Sequence, residues 1–236
     1  MGTATSFLEN LEWRRAEKHF GGGSVDTTAV LHAIIQSPSS YGLQPYKIVV
    51  VKDKQIKETL KAASFGQEQV SECDTLLIFC ARSDIRERVK EYLAASGNDS
   101  MREMITGFAV RLADPLGWAT RQAYIALGFG LAAAAEQRIA SCPMEGFMPE
   151  KVKTILSLPD NLVPCVLLAL GEKSEVEQNM PRFRFPETDL ILRIGSQEEQ
   201  PNEEDQEKEQ EKEQEKEQEK EQEQEKEQEK DRAPIS

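Results

Sequence analysis

The sequence predicts an α+β sandwich in which helices flank a central mixed β-sheet, and three observations predict it. Short apolar runs rich in valine, isoleucine and leucine alternate with helical stretches in an irregular order. One long alanine-rich segment is apolar almost all round, the mark of a central, buried helix. The final stretch shares neither pattern, which separates a folded domain over 1–196 from a tail over 197–236.

Taken in order, Asp26 stands as a helix N-cap before Thr27–Ser37, where Val30, Leu31, Ile34 and Ile35 repeat at helical spacing until Pro38 stops them. Tyr46–Val51 reads as a buried strand, Lys54–Ala63 as the helix after it, and Thr75–Ala81 as a second strand. Asp84–Ala95 and Met101–Leu112 are helical and polar enough to be exposed, with Gly97-Asn98-Asp99 as the break. Asp114-Pro115 opens the longest helix, which runs to Arg138. Ser141–Phe147 then reads as a connection, Pro149–Leu156 as a short helix and Val163–Leu170 as a third strand. Thr188–Ile194 is expected to form a terminal strand beyond the Pro181–Pro186 loop.

Of the 236 residues, with net charge −13, positions 197–236 carry 18 acidic and 7 basic side chains, a charge of −11. The acidity therefore belongs to the tail, and the domain is left at −2. No basic patch interleaved with aromatics points to nucleic acid. The tail repeats Glu-Gln-Glu-Lys without an apolar seam, so it forms no coiled coil and has nothing to bury. The longest apolar stretch, Ala123–Ala135, is 13 residues, against the roughly 20 that span a bilayer. No membrane partner is expected, and the absence of a secretory pattern at the start makes the cytoplasm the expected location. Cys73, Cys80, Cys142 and Cys165 form no Cys-x-x-Cys pair, and with only His19 and His32 beside them no metal site is expected.

Two segments carry recognisable chemistry. Arg14-Arg15-Ala16-Glu17-Lys18 sets three cations within five residues, ahead of Gly21-Gly22-Gly23. Gln36-Ser-Pro-Ser-Ser-Tyr-Gly-Leu-Gln-Pro-Tyr46 joins a helix to a buried strand with small hydroxyl residues that let a planar ligand approach the backbone. Gly128-Phe-Gly130-Leu-Ala-Ala133 satisfies a dinucleotide pattern in letters but lies mid-helix, where small residues serve close packing instead. His19 and His32 have no nucleophile in a triad arrangement.

Together with Gly66-Gln-Glu-Gln-Val70, Trp118-x-x-x-Gln122, Pro143-Met-Glu-Gly-Phe147 and Met180-Pro-Arg-Phe-Arg-Phe-Pro186, these segments resemble the nitroreductase family over essentially all of 7–194. The resemblance implies a nitroreductase-like three-layer sandwich in a domain-entwined homodimer, with residues 187–194 embracing the partner. It implies FMN as cofactor and NAD(P)H as electron donor. Arg14, Arg182 and Arg184 match the ligands of the FMN phosphate, for which guanidinium forks are suited. Lys18 matches the cation at the flavin pyrimidine edge, where it stabilises the charge of the reduced ring. Pro38, Ser39 and Ser40 match the loop lining the isoalloxazine, Gln67 a polar contact at the ring edge, and Glu145 and Gly146 the turn whose backbone N–H approaches N5. Arg15, Ala16 and Pro143 belong to the same matched segments.

The family's region corresponding to 83–113 shapes the substrate pocket, which nominates Tyr41 and Phe108 as lining aromatics. Phe108 has a packing role as the competing reading. Departures from the pattern are Ala16 in place of a serine, Val70 where some relatives carry lysine, and a shorter, more charged 83–113. The cofactor carries the reaction, so no catalytic side chain is named. The implied activity is reduction of nitroaromatics, quinones, flavins or related acceptors. The alternatives are a flavin-binding sensor or scaffold without turnover, and a flavin-fragmenting or dehalogenating relative.

Overall fold

The structure, a computed structural model, describes residues 6–175 and 182–195. Its chain divides into two compact units, Met1–Asn179 and Met180–Ser236. The tail beyond Gly195, and Met180 and Pro181 of the arginine segment, lie outside the described residues.

The first unit is built on strands β1 (Tyr46–Val51), β2 (Thr75–Arg82), β3 (Ala140–Met144) and β4 (Leu162–Gly171), in the spatial order β1-β2-β4-β3. All three strand pairs are antiparallel. The mixed character expected from the sequence is thus reduced, among the described residues, to one parallel bridge between Ala16 and Ser141. The reason is in the connections: Val51 at the end of β1 pairs with Leu76 at the start of β2. The intervening helices therefore need only leave and return at the same end of the sheet.

The helices are α1 (Phe7–Trp13), α2 (Thr28–Gln36), α3 (Lys54–Ala63), α4 (Glu68–Glu72), α5 (Ile85–Ser96), α6 (Arg102–Arg111), α7 (Pro115–Glu136) and α8 (Pro149–Ile155). Side chains alternate along β2 and β4. Leu76, Ile78, Cys80, Leu167 and Ala169 pack with Leu60 of α3, Val70 of α4 and Val152 of α8. Leu77, Phe79, Val166, Leu168 and Leu170 pack with Val30 and Ile34 of α2 and Ala123, Ala126 and Leu127 of α7. The sheet is covered on both faces, giving three layers, and β2 accordingly reads as an unbroken apolar run.

Four local expectations need correction. Ser141–Phe147 is not merely a connection: its first half is edge strand β3, where Pro143 is tolerated because an edge position spares its missing N–H. Helix α1 went unread because it is seven residues long, yet a capping box between Ser6 and Glu9 fixes its start. Helices α5 and α6 are not simply exposed. Ile85, Val89, Leu93, Ile105 and Ala109 form a third apolar cluster with Leu43, Ala81, Trp118 and Ala119.

In the second unit, Thr188–Ile194 is not a strand; Pro186 leads into the short helix α9 (Glu187–Leu190), and Ile191–Ile194 is irregular. A strand needs a hydrogen-bonding neighbour, and none is present for it among the described residues.

Candidate functional site

The segment after α1 runs beside the sheet edge. The Arg14 N–H caps α1 on the Asn10 carbonyl at 3.2 Å. The Ala16–Ser141 bridge then sets the chain parallel to β3, and the Glu17 N–H reaches the Ser141 carbonyl at 3.1 Å. Further on, the Phe20 N–H donates to Glu72 at 3.2 Å and the Gly21 N–H to the Glu172 carbonyl at 3.0 Å. Exposed Lys18 places its Nζ 3.6 Å from Cys142 Sγ of β3. Burial pushes the Cys142 thiol above its usual range, a shift that Lys18 and Arg14 only partly oppose. The thiol is therefore a neutral acceptor for the lysine.

Beyond β3 the chain makes a tight turn, closed by the Phe147 N–H on the Glu145 carbonyl at 2.9 Å. Buried Phe147 anchors its exit, and the Met148 N–H donates to the Ala63 carbonyl at 2.9 Å. The Gln67 amide, at the start of α4, donates to the Gly146 carbonyl at 2.6 Å and to the Ser64 carbonyl at 3.0 Å. Because the Glu145–Gly146 peptide is trans and its carbonyl is engaged by Phe147, the Gly146 N–H points the opposite way. It meets no acceptor among the described residues.

A second group forms around the loop after α2. The Ser40 N–H donates to Oε1 of buried Gln122 on α7 at 2.8 Å, and the Ser39 hydroxyl accepts from the Gln44 N–H at 2.9 Å. Tyr41 takes a left-handed backbone, φ 56°, which turns its ring onto Phe108 at 5.1 Å between centroids. Phe108 in turn meets Trp118 edge-on at 5.3 Å. Both expected pocket aromatics therefore share one cluster, where Phe108 is half-buried and also packs against the apolar residues of α5 and α6.

Helix α7 links the two groups. Gln122 holds the 38–40 loop, and Tyr124, two residues on, hydrogen-bonds the Glu145 carboxylate. The sequence marks Gln122 only as part of the Trp118-x-x-x-Gln122 segment, and Tyr124 not at all. Gln122 had a signal, an amide on the buried face of an apolar helix; Tyr124 had none apart from its hydroxyl. Arg182 and Arg184 are exposed in the second unit, where Phe183 and Phe185 stack edge-on at 5.0 Å.

Fold and site together define a three-layer α+β protein with a cationic segment laid along an edge strand and a turn that offers a backbone donor. The chain belongs to the Nitroreductase family, a family of oxidoreductases, whose profile matches residues 11–172. A protein of Thermus thermophilus named NADH dehydrogenase is 34% identical over 170 residues, covering 69% of this chain and 82% of its own. A provisionally named NAD(P)H nitroreductase of Staphylococcus haemolyticus is 30% identical over 212 residues, covering 79% and 96%. Among solved structures, a nitroreductase so described from Exiguobacterium sibiricum, in complex with FMN, superposes with a TM-score of 0.71 at 21% identity, over 82% of this chain and 99% of that one. A Bacillus subtilis structure of similar description gives a TM-score of 0.71 at 23% identity, over 80% and 98%. At such identity these two structures speak to the fold.

Proposed function

We propose that this protein is an FMN-dependent oxidoreductase that takes hydride from NAD(P)H and passes it to a small organic acceptor. The observation that carries the reading is the Ala16–Ser141 bridge, which lays the 14–18 segment alongside β3, the strand that leads into the Glu145–Gly146 turn. The residues fit a planar cofactor with an anionic tail: a run of guanidinium and ammonium groups, a backbone N–H without an acceptor among the described residues, and a polar loop at 38–40. When bound, FMN supplies the ring that accepts and donates hydride.

The chain's own groups bind and orient. Arg14 would supply a fork for the phosphate, with Arg15 beside it on the same cofactor-binding segment. Arg182 and Arg184 carry the same chemistry in the second unit. Lys18 would hold positive charge at the ring's pyrimidine edge, and the Gly146 N–H would donate at the reacting edge. Ser39, Ser40 and Pro38 would line the ring, Pro143 and Ala16 would border it, and Tyr41 and Phe108 would frame the acceptor. Gln67 would contact the ring edge while its amide also holds the Gly146 carbonyl.

The folded, FMN-binding domain is taken as 1–196, with 197–236 as a tail outside it. A homodimer is part of the proposal. The outer edge of β1 has no strand beside it among the described residues, and a groove of about 390 Å³ there has a largely apolar lining that includes Leu31, Ile34, Ile35 and Ile48, with Gln44, Lys47 and Arg88 as its polar members. Separately, Leu190, Ile191, Leu192 and Ile194 are between 51% and 89% exposed. Both are apolar surfaces of the kind a second copy covers.

The deciding measurement is an absorbance spectrum of the purified protein with and without added FMN, followed by anaerobic titration with NADH and NADPH. Bound flavin that bleaches, then turns over with nitroaromatic, quinone or flavin acceptors, is the expected result. Protein that stays colourless in excess FMN overturns the reading, and yellow protein without turnover favours a sensor or scaffold instead. Intact FMN after aerobic cycling separates this activity from flavin fragmentation.

A further inference from the structure

The Glu145 side chain is exposed, yet it does not hang free: Tyr124 on α7 donates to its carboxylate. The phenol keeps the proton it donates, since burial, and then the neighbouring carboxylate, push its pKa above the ordinary tyrosine range. On the other side of the same turn, Gln67 uses both ends of its amide. Its Nε2 holds the Gly146 carbonyl at 2.6 Å, and its oxygen accepts from Gln69 at 3.0 Å. Gln69 is itself buried, so this support is anchored in the core.

We propose that Tyr124 is a positioning residue for the Glu145–Phe147 turn. Its phenol clamps the Glu145 carboxylate from the α7 side while Gln67 clamps the Gly146 carbonyl from the α4 side, and the two fix the direction of the Gly146 N–H. The proposal rests on the reading that this N–H faces the flavin. It gives the Glu145 carboxylate a task that needs no proton transfer. It also couples the turn to the 38–40 loop, because α7 carries both Tyr124 and Gln122.

Amide exchange in the flavin-free protein tests the clamp without any turnover. Protection of the Phe147 amide is expected to fall about tenfold in Tyr124→Phe and in Glu145→Ala, the effect of one hydrogen bond. The double variant should fall no further, because both substitutions remove the same interaction. Glu145→Gln keeps an oxygen for the phenol and should hold near the unsubstituted value. Unchanged Leu168 exchange reports an intact sheet, and because Glu145 is exposed, its variants carry the test even where removing the phenol hydroxyl disturbs the core. In the FMN-loaded protein, the rate of flavin reduction by NAD(P)H should follow the same order. Unaltered Phe147 exchange in both single variants, or Glu145→Gln behaving as Glu145→Ala, overturns the proposal. Failure of the protein to take up FMN sinks the flavin reading instead, and the exchange order still decides the clamp.

Discussion

Gly130→Ala tests how α7 is held, and its sign is set by two opposing effects. Gly130 lies mid-helix on the buried face of α7, where alanine would ordinarily add about 1 kcal/mol of helix stability. A Cβ built there lies 3.0 Å from both Cγ1 and Cδ1 of Ile34 on α2, and 3.8 Å from Leu168 on the sheet. Carbon atoms rest at about 3.5–4.0 Å, so the new methyl overlaps two atoms by about half an ångström or more. Ile34 is 1% exposed and packs with Leu127 and Leu168 in the same apolar cluster, so its side chain must shift to make room. Overpacking of this kind costs about 1–3 kcal/mol, leaving a net loss of about 1 kcal/mol.

Ile34→Ala alone should cost about 2–5 kcal/mol through the cavity it leaves. The double variant should be more stable than the sum of the two by about 1–2 kcal/mol, because the alanine methyl at 130 enters space that Ile34 vacates. Urea unfolding at fixed protein concentration, with the slope compared across variants, measures all four corners. A stabilised Gly130→Ala, or strict additivity, would show that α2 and α7 are not in this contact. The site is sensitive to the same spacing, since α2 feeds the loop whose Ser40 N–H must reach Gln122.

Four further expectations concern the cofactor, the tail and acid stability. Arg182→Ala with Arg184→Ala should release FMN from a folded protein, read as loss of flavin after gel filtration; unchanged occupancy places the phosphate elsewhere. Lys18→Ala should lower the flavin's midpoint potential by about 30 mV or more, the equivalent of tenfold for a two-electron couple, because the reduced ring loses a stabilising cation. A rise in potential on dye-coupled titration would contradict that role. Removal of 197–236, where the aliphatic residues are only Ala233 and Ile235, should leave FMN affinity unchanged. Finally, Arg82 grips Asp84 at 2.7 Å and Glu91 at 2.6 Å, holding Asp84 below its ordinary range and Glu91 near a pKa of about 2. Carboxyls depressed in the folded state add stability that is present above their unfolded values of about 4 and lost as pH falls towards 2. Urea midpoints between pH 5 and 3 should therefore decline more steeply than in Arg82→Ala, and parallel profiles would refute the network.

What the sequence reveals follows from how local each determinant is. Helices α3 and α7 and strand β1 announce themselves through an Asp53 cap on the Ile56 N–H, an Asp114 cap with Pro115 behind it, and a β-branched run. Edge strand β3 is hidden because its five residues include a proline and its identity depends on β4 lying beside it. Strand β4 is legible despite its proline: Pro164 sits at a register shift, beyond the residues that β3 pairs, so its missing N–H costs no ladder bond on that side. The 14–18 cations are legible as charge, but their place beside β3 comes from a bridge to a residue 125 positions away, which no local pattern encodes.

The residues proposed for the site differ in how each is held. Ser39, Ser40, Glu145 and Gly146 lie on loops, and loops are placed by whatever grips them. Here the grips are side chains of regular elements: Gln122 and Tyr124 from a helix buried against the sheet, and Gln67 from the start of another. Each grip is a single hydrogen bond, so its loss should loosen the geometry of the turn or loop while leaving most of the core intact. Substitutions on α7 are thus expected to alter rate and potential before they alter flavin affinity, whereas those at Arg14, Arg182 and Arg184 should act in the reverse order.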